Sequence, residues 1–151
     1  MPKCAVVFVS AAVEGIGDCL PEVMLAGRQF NAKCGSHAVV CFDGSRFLTY
    51  LEGAASAVAA SCVYTESVTL HTEIVELARG SIQQLRFPAH ALLFLPISEA
   101  ELRALMRADW VNLSQRLGGK FIPETGMERL AALVSNRVDD VSQRWGDGSP
   151  L

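Results

Sequence analysis

The chain has 151 residues, enough to bury one substantial core and too few to expect two independent domains. Half of the residues are hydrophobic, 19% are charged, and no apolar run approaches the ~20 residues of a membrane span, so the composition is that of a soluble globular protein. The net charge is only −3 and the basic residues are scattered, which excludes the basic stripe that binding to a nucleic-acid backbone requires.

The first predicted element is a strand. Val6 to Ser10 follows Cys4 and Ala5 as a β-branched run, too short for the apolar core of a signal peptide, and the two glycines of "EGIGD" end it. From Asp18, a candidate N-cap, Leu20, Val23, Met24 and Phe30 recur at helical spacing. Gly27 falls on the same face, where it would permit a close backbone approach. His37 to Phe42 and Arg46 to Leu51 read as strands joined by the Asp43-Gly44 hairpin signal. In the second of these, Phe47, Thr49 and Leu51 share one face, and Thr49 places a hydroxyl in an otherwise apolar row. A second helix is predicted from Gly53, with Ala55, Val58, Ala59 and Cys62 as a thin packing face. His71 to Ala78 gives a fourth strand, Gly80-Ser81 a break, and Ala91 to Leu95 a fifth strand.

Two helices close the pattern. Ser98 with Glu101 forms a capping box ahead of Leu102, Leu105 and Met106, and Thr125 with Glu128 forms another ahead of Leu130, Leu133, Val134, Val138 and Val141. The loop "LGGKFIPE" joins them, and "GDGSPL" is expected to be a flexible tail. The order β-α-β-β-α-β-β predicts an α+β, ferredoxin-like sandwich with both early helices on one sheet face. The expected organisation is a domain over 1–96, a helical appendage over 97–145 and the tail over 146–151.

Reactive groups are sparse. The five cysteines are odd in number and show no CxxC spacing, so neither a disulfide framework nor a zinc site is expected, and a reducing intracellular compartment, the cytoplasm, fits best. His37, His71 and His90 stand apart in sequence, which predicts no metal site. Glu73 and Glu76 are an odd number of residues apart, hence on opposite faces of a strand, and cannot pair as a glycosidase-like dyad. Ser10, Ser36 and Ser61 lack any nucleophile-elbow context, and the first loop lacks the arginine and asparagine of acylphosphatase-type chemistry, so no enzyme activity is expected.

Asn31, Gly35 and "FDGSRFLTYLEG" together resemble the signature of the BLUF family, small flavin-binding sensors of blue light. "FVS" at Phe8 to Ser10, "NAKCGSHA" at Asn31 to Ala38, "FLTYLEG" at Phe47 to Gly53 and "RFPAHAL" at Arg86 to Leu92 follow the family's order and spacing over residues 4 to 95. The resemblance implies FAD held between the two early helices, with a tyrosine donating an electron and a proton to the flavin and a glutamine amide switching its hydrogen bonds between them. The matching positions are Phe8 and Thr49, and neither side chain can do this: a phenyl ring has no proton to give, and threonine is too short to bridge. His37 and Ala38 replace a Thr-Gly pair, His90 and Leu92 replace the tryptophan and methionine linked to signalling, and Val68 and Leu70 stand at charged pocket positions.

Asn31 matches the asparagine that meets the flavin edge, although it also suits a left-handed residue at a helix end. Thr49 retains a cofactor contact or bonds a neighbouring carbonyl. The expected function is a degenerate, non-photoactive BLUF-like interaction module or small subunit of a larger assembly, without a cofactor; the alternative is an FAD-binding sensor with altered photochemistry, using Phe8, Asn31 and Thr49 as pocket positions. Protein partners, or further copies of the chain, would meet the C-terminal helices "LRALMRADWVNL" and "LAALVSNRV", with Trp110 either an interface anchor or packed against the open sheet face.

Overall fold

The computed structural model describes residues 2–113 and 124–144; the linker "LGGKFIPE" up to Pro123, the tail "GDGSPL" and the side chains of Val138 and Val141 lie outside the described residues. The strands are β1 (Lys3–Ala12), β2 (His37–Phe42), β3 (Arg46–Ala54), β4 (His71–Ile82) and β5 (Leu93–Pro96). The α-helices are α1 (Leu20–Cys34), α2 (Ala55–Ser67), α3 (Glu99–Arg107) and α4 (Gly126–Arg144). The strand order is β4-β1-β3-β2-β5. β3 runs antiparallel to both β1 and β2, β4 runs antiparallel to β1, and β5 joins β2 in parallel. This is the expected ferredoxin-like arrangement with one added edge strand.

Alternation along the strands sorts the core into two layers. Val6, Phe8, Val40, Phe47 and Leu51 bury against Leu20 and Met24 of α1 and Val58 and Cys62 of α2. Ala5, Val7, Val39, Cys41, Leu48 and Tyr50 face the other way and bury against Leu102 and Leu105 of α3, Trp110, and Leu130 and Val134 of α4. The C-terminal helices thus cover a complete sheet face. Trp110 is part of that layer: it is 5% exposed, its Nε1 donates to Leu105 O at 2.7 Å, and its ring lies close against Gly126. It packs, and offers no surface anchor.

Several boundaries differ from the sequence pattern for local reasons. Asp18 is not the N-cap of α1, because Gly15, with φ 82°, opens a 3₁₀ turn over Ile16–Asp18 and moves the cap to Cys19. β3 continues through Gly53, which adopts φ 149° and pairs with Cys4; a Cβ there would lie 3.1 Å from Gly35 O. α2 therefore starts at Ala55 and buries Ala57, Val58, Ser61 and Cys62, while Ala55 and Ala59 face solvent. Gly80 and Ser81 do not break β4. They pair with Ala5 and Cys4, since β1 extends to Lys3 and offers them partners. β5 starts at Leu93, two residues later than the apolar run suggests. Both capping boxes form as read: Glu101 N–H donates to Ser98 Oγ at 3.1 Å and Ser98 N–H to Glu101 at 2.9 Å, with Thr125 and Glu128 repeating the exchange.

Candidate functional site

A cavity of about 60 Å³ lies between α1, α2 and the sheet. At ~10–15 Å³ per water it has room for a few water molecules. Val23, Met24, Gly27 and Asn31 wall it on α1, which is the i, i+3, i+4 face of that helix; Thr49 and Phe47 form its floor on β3. Tyr64, Thr65 and Val68 close it on the α2 side and His71 at the start of β4. Across its edge Phe30 of α1 stacks on Tyr64 of α2, with ring centroids 4.4 Å apart and planes 13° from parallel, which ties the two helices together.

Thr49 faces this cleft, as its strand phase requires, and is 5% exposed. Its hydroxyl takes no hydrogen bond among the described residues, so the expected bond to a neighbouring carbonyl is absent. Phe8 stands directly opposite Thr49 in the β1–β3 ladder, buried in the same layer but outside the cavity wall. Asn31 is buried inside α1, and the left-handed residue that ends the helix is Gly35, φ 84°, whose N–H donates to Asn31 O. The Asn31 side chain bridges elements instead. Nδ2 donates to Ala91 O at 2.8 Å and Oδ1 accepts from Ser61 at 3.0 Å. Ser61 in turn bonds Ser36, and both reach the half-buried Cys34. Burial pushes the Cys34 thiol up, but the bonds to Ser36 and Ser61 outweigh it and leave the thiol below its ordinary pKa.

The three histidines do not converge. His71 is fixed in the cleft wall, its Nε2 donating to Thr65 O and its Nδ1 accepting from the Ser10 hydroxyl, both at 2.7 Å. His37 meets His90 O at 3.2 Å, away from the cleft wall that His71 forms. Burial, then the positive charges of Arg28 and His37, hold the His90 imidazole below its ordinary pKa. No group of three or more histidines, cysteines or carboxylates is placed to hold a metal among the described residues. Val68 and Leu70 do line the cleft, where the family resemblance places them.

Pattern reading missed two groupings because their members are distant in sequence. One is the Ser10–His71–Thr65 chain. The other lies on the opposite sheet face: Glu52, 0% exposed, accepts from Tyr50 Oη at 2.6 Å, Arg86 N–H at 2.8 Å and Phe87 N–H at 2.7 Å. The only signal in the sequence was a carboxylate continuing the Leu48, Tyr50 row.

A ferredoxin-like sheet thus carries two helices that enclose a cleft over one face, with Asn31, Thr49 and His71 as polar side chains on its walls. The sequence profile of the BLUF family, described as sensors of blue-light using FAD, matches residues 4–92, and the chain belongs to that family. Its fold is similar to that of BlrB, a BLUF protein in its dark state, with a TM-score of 0.67 and 22% identity over 89% of this chain and 97% of that one. The photo-activated state of BlsA gives a TM-score of 0.63 and 16% identity over 89% of this chain and 93% of the other. BlrP1 of Klebsiella pneumoniae, in a structure with FMN and cyclic diGMP, gives 0.62 and 19% identity over 93% of this chain but 36% of that longer protein. A comparison with curated protein sequences finds no match.

Proposed function

We propose that this BLUF domain does not run a light-driven relay and works through protein contacts, as an interaction module or a subunit of a larger assembly. The observation that carries this reading is the pairing of Phe8 with Thr49 across β1 and β3. These two positions match the phenol and the amide of the family pattern, and here they supply a bare ring and a short hydroxyl. Proton transfer needs a donor within hydrogen-bond reach, and neither side chain can complete one.

The Phe30–Tyr64 stack ties the two helical walls of the cleft together, which opposes the entry of a tricyclic ring between them. The Asn31 amide is already engaged at both ends, so binding a ring edge would cost it existing partners. If the cleft did open, Asn31 and Thr49 would be the polar groups available to hold FAD, which would supply its own redox chemistry. Partner contacts are assigned to the outer groove of α3 and α4, floored by Ala100, Ala104, Ala132 and Leu133 between Glu101 and Arg129.

One observation favours a second reading, an FAD-binding sensor with altered photochemistry: Tyr64 brings a phenol to the cleft wall from α2. Absorption spectroscopy of the purified chain, with and without added FAD and before and after blue light, separates the two. The proposal expects a colourless protein that retains no added FAD. A flavin band that shifts reversibly to the red on illumination overturns it; a retained flavin that does not shift, or shifts otherwise, selects the second reading.

A further inference from the structure

A buried hydroxyl without a partner stands on the floor of the cleft. Thr49 is 5% exposed, and among the described residues nothing bonds its Oγ1. Leaving such a group dry and unbonded is unfavourable, and valine would fill the same space without that cost. The other polar groups around it are engaged. Asn31 uses both ends of its amide, His71 uses both ring nitrogens, and Thr65 Oγ1 donates to Ser61 O at 2.7 Å. Tyr64 is half-buried and holds the edge of the cleft through its stack on Phe30.

Ordered water in a cavity needs about two to four polar partners. The floor offers it one, so water is held poorly there, and an apolar group that displaces it gains affinity. Val40 and Leu51 flank Thr49, with Met24, Val68 and Leu70 around them. Met24 is unbranched and can adapt to what lies against it. No lysine, arginine, aspartate or glutamate lines the cleft among the described residues. An ionised ligand would therefore lose its hydration without meeting a counter-charge. The volume, about 60 Å³ and partly open to solvent, is smaller than the ~150 Å³ apolar cavity that accepts benzene, which suits a body of ~3–5 carbons.

We infer that the cleft is a binding site for a small neutral amphiphile, an alcohol with a short aliphatic body, whose oxygen bonds Thr49 Oγ1 while its carbons lie against Met24, Val40 and Leu51. The threonine hydroxyl both donates and accepts, so it matches the alcohol in either sense of the bond. A ligand of so few atoms binds in the millimolar range. Such a site is independent of the partner surface on α3 and α4 and of any response to light.

Methyl NMR of the full chain, titrated with 1-butanol, tests the site. The methyl signals of Met24, Val40 and Leu51 are expected to shift saturably, while those of Leu102 and Leu130, on the opposite sheet face, stay in place. Butyrate and butylammonium, of similar size but charged at neutral pH, bind at least tenfold more weakly. Thr49→Val keeps the shape of the floor and removes the bond, weakening butanol about 2–10-fold. Val23→Phe, which fills the cleft from the α1 wall, abolishes the shifts, and unmoved Leu102 and Leu130 signals show that each variant is folded. Cleft methyls that do not saturate, a preference over the charged analogues below tenfold, a loss below twofold in Thr49→Val, or undiminished binding in Val23→Phe would each overturn the inference. So would a purified chain that carries flavin in the cleft. A failure in the butanol titration leaves the proposed function standing, because that reading turns on flavin and on partner contacts.

Discussion

Glu52 shows how much of the fold can depend on one side chain. A carboxylate with no exposure is costly unless each oxygen is satisfied, and here a phenol and two backbone N–H groups supply three donors. Burial, then the adjacent Glu52 charge, raises the Tyr50 pKa, so the phenol keeps its proton and remains the donor of the pair. Glu52→Ala is expected to cost about 3–5 kcal/mol, because it strands two buried donors and a third that is part-buried, and Glu52→Gln about 1–3 kcal/mol, because an amide oxygen still accepts part of the set. Urea titration of the purified variants measures both, and a cost below ~1 kcal/mol for Glu52→Ala would show that the chain at Arg86 and Phe87 is held by other contacts. Little of this was legible in the sequence. A period of two puts Glu52 in a row with Leu48 and Tyr50, but its partners lie 34 and 35 residues further on, and no local pattern encodes that closure. The cleft was legible for the opposite reason. Phe47, Thr49 and Leu51 alternate within one strand, and a β3 face fixes all three together.

At the scale of elements, what could be read were features whose cause is local. The β2–β3 hairpin follows from Asp43-Gly44, where Asp43 Oδ1 accepts from Ser45 and Arg46 N–H and Gly44 takes φ 103°. Both capping boxes needed only four residues each. What could not be read was set by a neighbour: β4 runs on through Gly80 because β1 is long enough to pair with it, and α1 starts late because the preceding 3₁₀ turn consumes Asp18. The contact between α4 and Trp110 is of this second kind. Gly126 lies against the indole so closely that a Cβ would fall 2.1 Å from Cε2 and 2.3 Å from Cδ2. Gly126→Ala gains at most ~1 kcal/mol of helix propensity and loses more to the clash, since overpacking costs ~1–3 kcal/mol or more. The net expectation is destabilisation by about 1–2 kcal/mol in the parent chain. In a Trp110→Leu background the same substitution is expected to be neutral or stabilising, and a double-mutant cycle from denaturant unfolding checks the sign change. Additive effects would mean that the indole is free to move aside.

At the scale of the whole molecule, chain order suggests a division at residue 96. Residues 1–96 contain every strand and suggest a domain that could stand alone with the later helices as an attachment. Yet the sheet has two apolar faces, and among the described residues α3, Trp110, Leu113 and α4, with Phe87 at one side, cover the one formed by Val7, Val39, Cys41, Leu48, Tyr50 and Leu95. Both Tyr50 and Leu48 are 0% exposed there. An open sheet face of that size in water loses the transfer free energy of each buried side chain, about 1.5–3 kcal/mol apiece, which exceeds the net stability of an ordinary domain once several are exposed. A chain ending at residue 96 is therefore expected to aggregate or to bind a hydrophobic dye without a cooperative thermal transition, as measured by light scattering and calorimetry. A soluble, cooperatively unfolding 1–96 fragment would show instead that the two-layer half is sufficient and that the helices are a detachable unit. The distinction decides how a partner surface can be mapped, because deleting the helices removes core and groove together. Charged substitutions at the groove floor, such as Ala100→Glu or Ala132→Glu, change the outer surface while the buried Leu102, Leu105 and Leu130 keep the sheet covered.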